Sequence, residues 1–188
     1  MVMIHKAARA LRRPVVALLV VLCCAVFQQT VSASPFGQGV FGADVPFGSA
    51  TSLSIALGGN VSLNLTPSGG NFTGSGSHTL TVTTTDVVGY KLYVYSPGSS
   101  TMTNGSETIP ASGNTTAGAL SVNTWGYNTD GSTNYVGMTT TPTLLKDTTG
   151  PFKSGDNTTV TYGVLTNITK GAGNYTVPVV YTAVAESD

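Results

Sequence analysis

The chain has 188 residues, eight Lys and Arg against eight Asp and Glu, two His and two Cys. Charges this sparse, with no basic cluster beyond the first residues, exclude nucleic acid as a partner, because phosphate binding needs grouped Lys and Arg. Both cysteines, Cys23 and Cys24, lie in one apolar run near the start, so the remaining chain has no disulfide framework, cysteine metal site or thiol nucleophile.

Residues 1–14 carry Lys6, Arg9, Arg12 and Arg13 and no acid, and Val15 to Phe27 is an unbroken apolar run. A short polar exit then ends at Val31-Ser32-Ala33. Basic, then apolar, then small is the pattern of a secretory signal peptide, with a helical apolar segment and cleavage after Ala33. The run is shorter than the ~20 residues of a comfortable membrane span, so no span is expected after cleavage. Leu22 before Cys23 argues against lipidation, which needs a small residue there. Without residues 1–33 the chain keeps four lysines, no arginine and eight acids, a formal charge of −4. The expected product is secreted, extracellular or held at the cell surface.

Residues 34–50 form a Gly- and Phe-rich arm, with Phe36, Phe41 and Phe47 set among Gly and Pro. Two readings stand for it: a coil lying along the domain, or an extended arm that adds a strand to a neighbouring subunit, with the phenylalanines as anchors.

From residue 51 to 188 the pattern is that of one β domain. Leu53, Ile55 and Leu57 alternate with Ser and Ala, Gly58-Gly59 signals a turn, and Val61, Leu63 and Leu65 alternate again. Such alternation places successive side chains on opposite faces of a strand. Pro67 to Ser77 reads as a loop, and His78 to Thr85 as a strand with Leu80 and Val82 inward. Tyr90 to Tyr95 has two apolar faces: Tyr90, Leu92 and Val94 on one, Tyr93 and Tyr95 on the other. Such a strand is central, or one of its faces binds something. Pro97 to Gly118 reads as a mobile surface excursion. Ala119 to Trp125 resumes as a strand, Asn128 to Asn134 is a turn, Tyr135 to Met138 and Thr143 to Leu145 are short strands, and Asp147 to Asp156 is a loop. Finally Val160, Tyr162 and Val164 alternate with Thr159, Thr161 and Gly163, and Tyr175 to Ala183 alternates likewise. The short break between these two strands predicts an antiparallel hairpin. Pro178 cannot donate to a ladder, which marks its strand as an edge or as bulged. With eight to ten strands and no amphipathic helix, the fold class is an all-β antiparallel sandwich of Ig-like or Greek-key-like kind.

The catalytic inventory is short. His78 is the only histidine after the leader and reads as an exposed residue at a strand start. There is no Gly-x-Ser-x-Gly elbow, and one His without Cys cannot supply the usual zinc ligands. Most acids sit in turns, where Asp is expected for its side-chain hydrogen bonds. No catalytic residue, metal site or cofactor is assigned. Asn128 to Asn134 echoes the oxygen spacing of a calcium loop but lacks the distal Glu, so it reads as an Asp-Gly turn. Asn-x-Ser/Thr occurs at eight positions, among them Asn60, Asn104 and Asn174, open to glycosylation where the cell has the machinery. Trp125 is the only tryptophan. It fills the core or, joined by Tyr93, Tyr95, Tyr127 and Tyr135, forms a surface for glycans.

The ordered segments Asp86–Leu92, Asn123–Gly131, Thr159–Val164 and Gly173–Ala185 resemble a domain of exported surface proteins from candidate-phylum bacteria of the Saccharibacteria kind. The closing strand is also similar to the end of WxL-type surface domains, whose paired Trp-x-Leu motifs this chain lacks. The resemblance implies a secreted β-sandwich with a surface or adhesive role and brings no catalytic residues. The leading expectation is a non-enzymatic surface protein, structural or adhesive and pilin-like. Its partners would be copies of itself or other surface proteins, and strand addition would use residues 34–49 or the C-terminal strand. A glycan-binding module and a secreted hydrolase stand as alternatives. No C-terminal anchor is expected.

Overall fold

The computed structural model describes residues 51–187. The signal peptide with its Ala33 cleavage site, and the arm with Phe36, Phe41 and Phe47, lie outside the described residues. The described chain is all-β and antiparallel, with ten strands: β1 (Ser52–Leu57), β2 (Thr66–Ser68), β3 (Asn71–Thr85), β4 (Gly89–Tyr95), β5 (Met102–Asn104), β6 (Glu107–Ile109), β7 (Thr124–Asn128), β8 (Thr143–Thr149), β9 (Asp156–Asn167) and β10 (Val180–Glu186). One sheet runs β1-β3-β9-β7, with β2 paired to the start of β3; a second runs β10-β4-β8; β5 and β6 form a hairpin of their own.

The alternation read from sequence sets the core. Leu80 and Val82 of β3, Val160 and Val164 of β9 and Trp125 of β7 meet Tyr90, Leu92 and Val94 of β4. Leu80, Leu92, Val94 and Val160 are fully buried, each contributing roughly 1.5–3 kcal/mol by leaving water. The second apolar face of β4 is real: β4 is the central strand of its sheet, and Tyr93 and Tyr95 lie on the outer side.

Pairing departs from the sequence reading in several places. Only β2–β3 and β5–β6 pair with an immediate chain neighbour. The hairpin expected between Val160–Val164 and Tyr175–Ala183 does not form: β9 pairs with β3 and β7, while β10 begins at Val180 and pairs with β4. Residues 168–179 carry the chain from one sheet to the other, bridged at Thr176 to Thr103. Face-to-face packing makes the same inward side chains of β9 and β10 meet across the core, so both arrangements satisfy the same alternation. Tyr162 and Tyr181 hydrogen-bond there through their hydroxyls.

Val61 to Leu65 is not a strand, and residues 71–77 are one rather than a loop. Gly74 and Gly76 explain both. They take inward positions of β3, and the 61–65 segment crosses directly over them. A Cβ on Gly74 would stand 2.8 Å from the Asn64 carbonyl oxygen, and one on Gly76 2.9 Å from Leu63 Cδ2. Glycine inside a strand here marks close approach of another backbone rather than a break in the strand. Val61 and Leu63 are partly buried against the core.

The 97–118 stretch, expected as a mobile excursion, carries the β5–β6 hairpin and packs inward through Ile109, which is 2 % exposed. Within the expected strand Ala119–Trp125 only the last two residues are β; Asn123 has a φ of 64°, and β7 continues to Asn128 instead. β8 extends to Thr149, into the stretch read as a loop. The turn at 128–134 forms as read: Gly131 has a φ of 68°, its amide donates to Asn128 Oδ1, and the Ser132 amide donates to Asp130 Oδ1. The hydrogen bonds from Ser132 hold the Asp130 carboxyl below the usual carboxylate range.

Candidate functional site

The aromatic residues read as a glycan surface are split between two environments, with Tyr135 buried like Trp125 and Tyr127. Trp125 is fully buried and Tyr127 is 5 % exposed. The indole N–H donates to the Ser100 carbonyl at 2.9 Å, and the ring packs 6.3 Å from that of Tyr162. Burial pushes the Tyr127 phenol up. Neither can stack on a ligand, so the glycan role for Trp125 and Tyr127 is corrected to core packing. The local reason is that β7 is covered on its free side. Trp125 exchanges backbone bonds with Pro110 and Ser112, and Tyr127 with Val136.

Tyr93 and Tyr95 do reach the surface, on the outer face of the β10-β4-β8 sheet. Cross-strand register places Leu144 and Thr182 beside Tyr93, and Val180 beside Tyr95. Val184 and Asp147 flank Lys91 on the same face. Leu144 and Val184 are 48 % and 49 % exposed. Lys91 holds the end of this face together by pairing with Glu186 and, at 3.8 Å, with Asp147. Its hydrogen bond to Glu186 is the main reason its ammonium is held above the ordinary lysine range.

His78 is not an exposed loop residue. It sits in β3 on the inward side, half-buried, with Nδ1 2.9 Å from the Gly59 carbonyl and Nε2 2.9 Å from the Tyr181 hydroxyl. A carbonyl only accepts, so Nδ1 donates to Gly59, while Nε2 and the Tyr181 hydroxyl share the second bond. Tyr181 shares a further hydroxyl–hydroxyl bond with Tyr162. Burial, followed by the neighbouring Tyr162, pushes Tyr181 strongly up; burial also takes Tyr162 up to about 12. This chain of bonds ties β3, β9 and β10 across the two sheets. Its sequence signal was an alternation position: His78 stands two residues before inward Leu80.

The acids have structural partners. Asp156 accepts from the Lys146 ammonium and the Tyr90 hydroxyl, each at 2.7 Å. Burial would raise its carboxyl, but these two hydrogen bonds outweigh that and hold it below the usual carboxylate range. Lys146 reaches inward because β8 bulges: Leu92 faces Lys146 while Tyr93 faces Leu144, leaving Leu145 as the extra residue. Glu107 pairs with Lys170 at 3.3 Å.

The sheet edges differ in how they are finished. β7 is covered by the bonds to residues 110, 112 and 136. β8, the edge below it in the second sheet, carries the bulge together with Lys146 and Asp147. On the opposite flank β1 and β10, which approach one another across the sheets, pair without a break in register. β1 has no charged residue, and β10 has none before its last, Glu186. Pro178 stands two residues before β10 starts, so the strand it marked is an edge, as expected, with the proline outside it.

The fold and its surface define a β-sandwich domain in which, among the described residues, one flank is protected and the other bare. No family model matches the chain. No curated protein matches it either. Among solved structures it is similar to a chain from the study "Chaperone-tip adhesin complex is vital for synergistic activation of CFA/I fimbriae biogenesis", at 15 % identity and a TM-score of 0.48, over 72 % of this chain and 42 % of that one. The present chain therefore spans less than half the length of that neighbour. Among the described residues no helix is long and apolar enough to cross a membrane.

Proposed function

We propose that this is an exported, non-enzymatic surface protein with a structural or adhesive role, and that it assembles by adding strands along the β1/β10 flank. The observation that carries the reading is the asymmetry of the two flanks. Unpaired strand edges template pairing with other chains, and folds protect them with charges, bulges or covering loops. Here the β7/β8 flank has all three devices, whereas β1 and β10 are regular and almost uncharged. Strand addition uses main-chain hydrogen bonds that such an edge leaves free. The signal-peptide pattern of residues 1–33 and the motif resemblance to exported surface proteins support the same compartment and role. The partnered carboxylates support a structural rather than hydrolytic use of the acids.

The test is size-exclusion chromatography with negative-stain microscopy on residues 34–188, on the same chain without 34–49, and on a Thr182→Lys/Val184→Lys variant. Both substituted positions are exposed, so the fold should survive, as circular dichroism would show. Oligomers or filaments in the intact chain, lost on adding edge lysines, are expected. A wild-type monomer at every concentration, or lysine variants that assemble equally well, would overturn the proposal. Loss of assembly on removing 34–49 would identify the arm as the donated strand.

A further inference from the structure

The sandwich has two unlike poles. At one, Thr51 Oγ1 donates to the Asp86 carbonyl and the Val88 amide donates to the Glu186 carbonyl, so both ends of the domain meet the same turn. The other pole lies about 46 Å away along the 15-residue β3, at ~3.3 Å per residue. There Phe72 of β3 faces Thr166 of β9, and a pocket of about 210 Å³ opens beside them. Leu65, Phe72 and Ile109 line it with apolar surface; Lys170, Gly171, Gly173 and Tyr175 line it beside them.

From this arrangement we infer that the pole opposite the Asp86–Val88 turn carries a binding site for one neutral sugar ring, the terminal residue of a glycan. Size comes first: about 210 Å³ is below the ~300–1,000 Å³ of sites for drug-sized ligands, and suits a single ring. Charge comes second. The Lys170 ammonium on the rim is matched by Glu107 at 3.3 Å, so the pocket carries no uncompensated cation to select an anion, yet offers a charged donor to hydroxyl groups. Third, residues 171–174 are exposed, and Gly171 to Gly173 line the pocket beside its apolar side chains. The Tyr175 hydroxyl is oriented by donating to the Gly171 carbonyl at 2.7 Å, and its oxygen remains free to accept. A pyranose has this same division, with apolar C–H faces and a girdle of hydroxyls. The site deepens the adhesive part of the proposed role and is separate from the assembling flank.

The test is saturation-transfer NMR on residues 34–188 with glucose, galactose, mannose and N-acetylglucosamine as probes. Two variants accompany it: Ala172→Trp, which fills the pocket from an exposed rim position, and Leu144→Trp on the distant outer face as a control. At least one sugar should give transfer, weakened about tenfold by A172W and unchanged by L144W. No transfer from any of the four, or transfer that A172W leaves intact, would sink the site. Either result is independent of oligomer formation, so its failure does not remove the assembly proposal, nor the reverse.

Discussion

Gly74 is the place where an added side chain tests the crossing of residues 61–65 over β3. In an ordinary strand Gly→Ala is stabilising by ~0.5–1 kcal/mol, because alanine loses less backbone freedom on folding. At Gly74 the added Cβ would meet the Asn64 carbonyl oxygen at 2.8 Å and Leu65 Cδ2 at 2.9 Å. The first is backbone and cannot rotate away. Overpacking of this kind costs about 1–3 kcal/mol, so the net expectation for Gly74→Ala is a loss of ~1–2 kcal/mol. Gly76→Ala should behave differently. Its nearest neighbours are side-chain ends, Leu63 Cδ2 at 2.9 Å and Val61 Cγ1 at 3.0 Å, which can shift. It should cost about 0–1 kcal/mol alone and become stabilising once Leu63→Ala makes room, a coupling of ~1 kcal/mol. Urea unfolding at constant m reads all four proteins of the cycle. A Gly74→Ala protein more stable than wild type would refute the crossing of residues 61–65 over β3, as would a Gly76→Ala effect that Leu63→Ala leaves unchanged.

Removing the Asp156 carboxylate should be expensive at neutral pH and harmless in acid. Asp156→Ala leaves the buried Tyr90 hydroxyl and the Lys146 ammonium without their partner, a loss of about 2–3 kcal/mol. Because the folded carboxyl lies below its ordinary value, its contribution is whole above pH ~4 and fades as pH falls through the folded value. Unfolding free energies of wild type and variant should therefore converge toward pH ~2; a constant gap would contradict the ion pair. Alkali should act through Tyr162, whose phenol is held up to about 12 in the fold and near ~10 when unfolded. Its contribution is fully present below pH ~10 and declines above it, by at most ~1.4 kcal/mol per pH unit. Urea midpoints measured from pH 9 to 11 should fall less steeply in Tyr162→Phe than in wild type; equal slopes would count against the burial of this hydroxyl.

The amino-acid sequence by itself determined the fold class, most strands and which side of each faces in. Tyr90, Leu92 and Val94 against Tyr93 and Tyr95, or Val160 and Tyr162 against Thr159 and Thr161, follow from the two-residue period of a strand, which needs no knowledge of partners. The Asn128–Asn134 turn was legible for the same reason, since Asp and Gly shape it through bonds within a few residues. Tertiary structure alone decided who pairs with whom. β9 and β10 read as a hairpin because they are close in the chain, yet packing across two sheets uses the same alternation as pairing within one. It decided that Trp125 and Tyr127 are sealed in while Tyr93 is not, since the covering groups come from residues 110–112 and 136. It turned His78 inward and made strand residues of Gly74 and Gly76, because the segment that excuses their missing side chains arrives from elsewhere. The bare flank and the distal pocket belong to the same class: each is a property of several strands brought together, and no single stretch of sequence carries it.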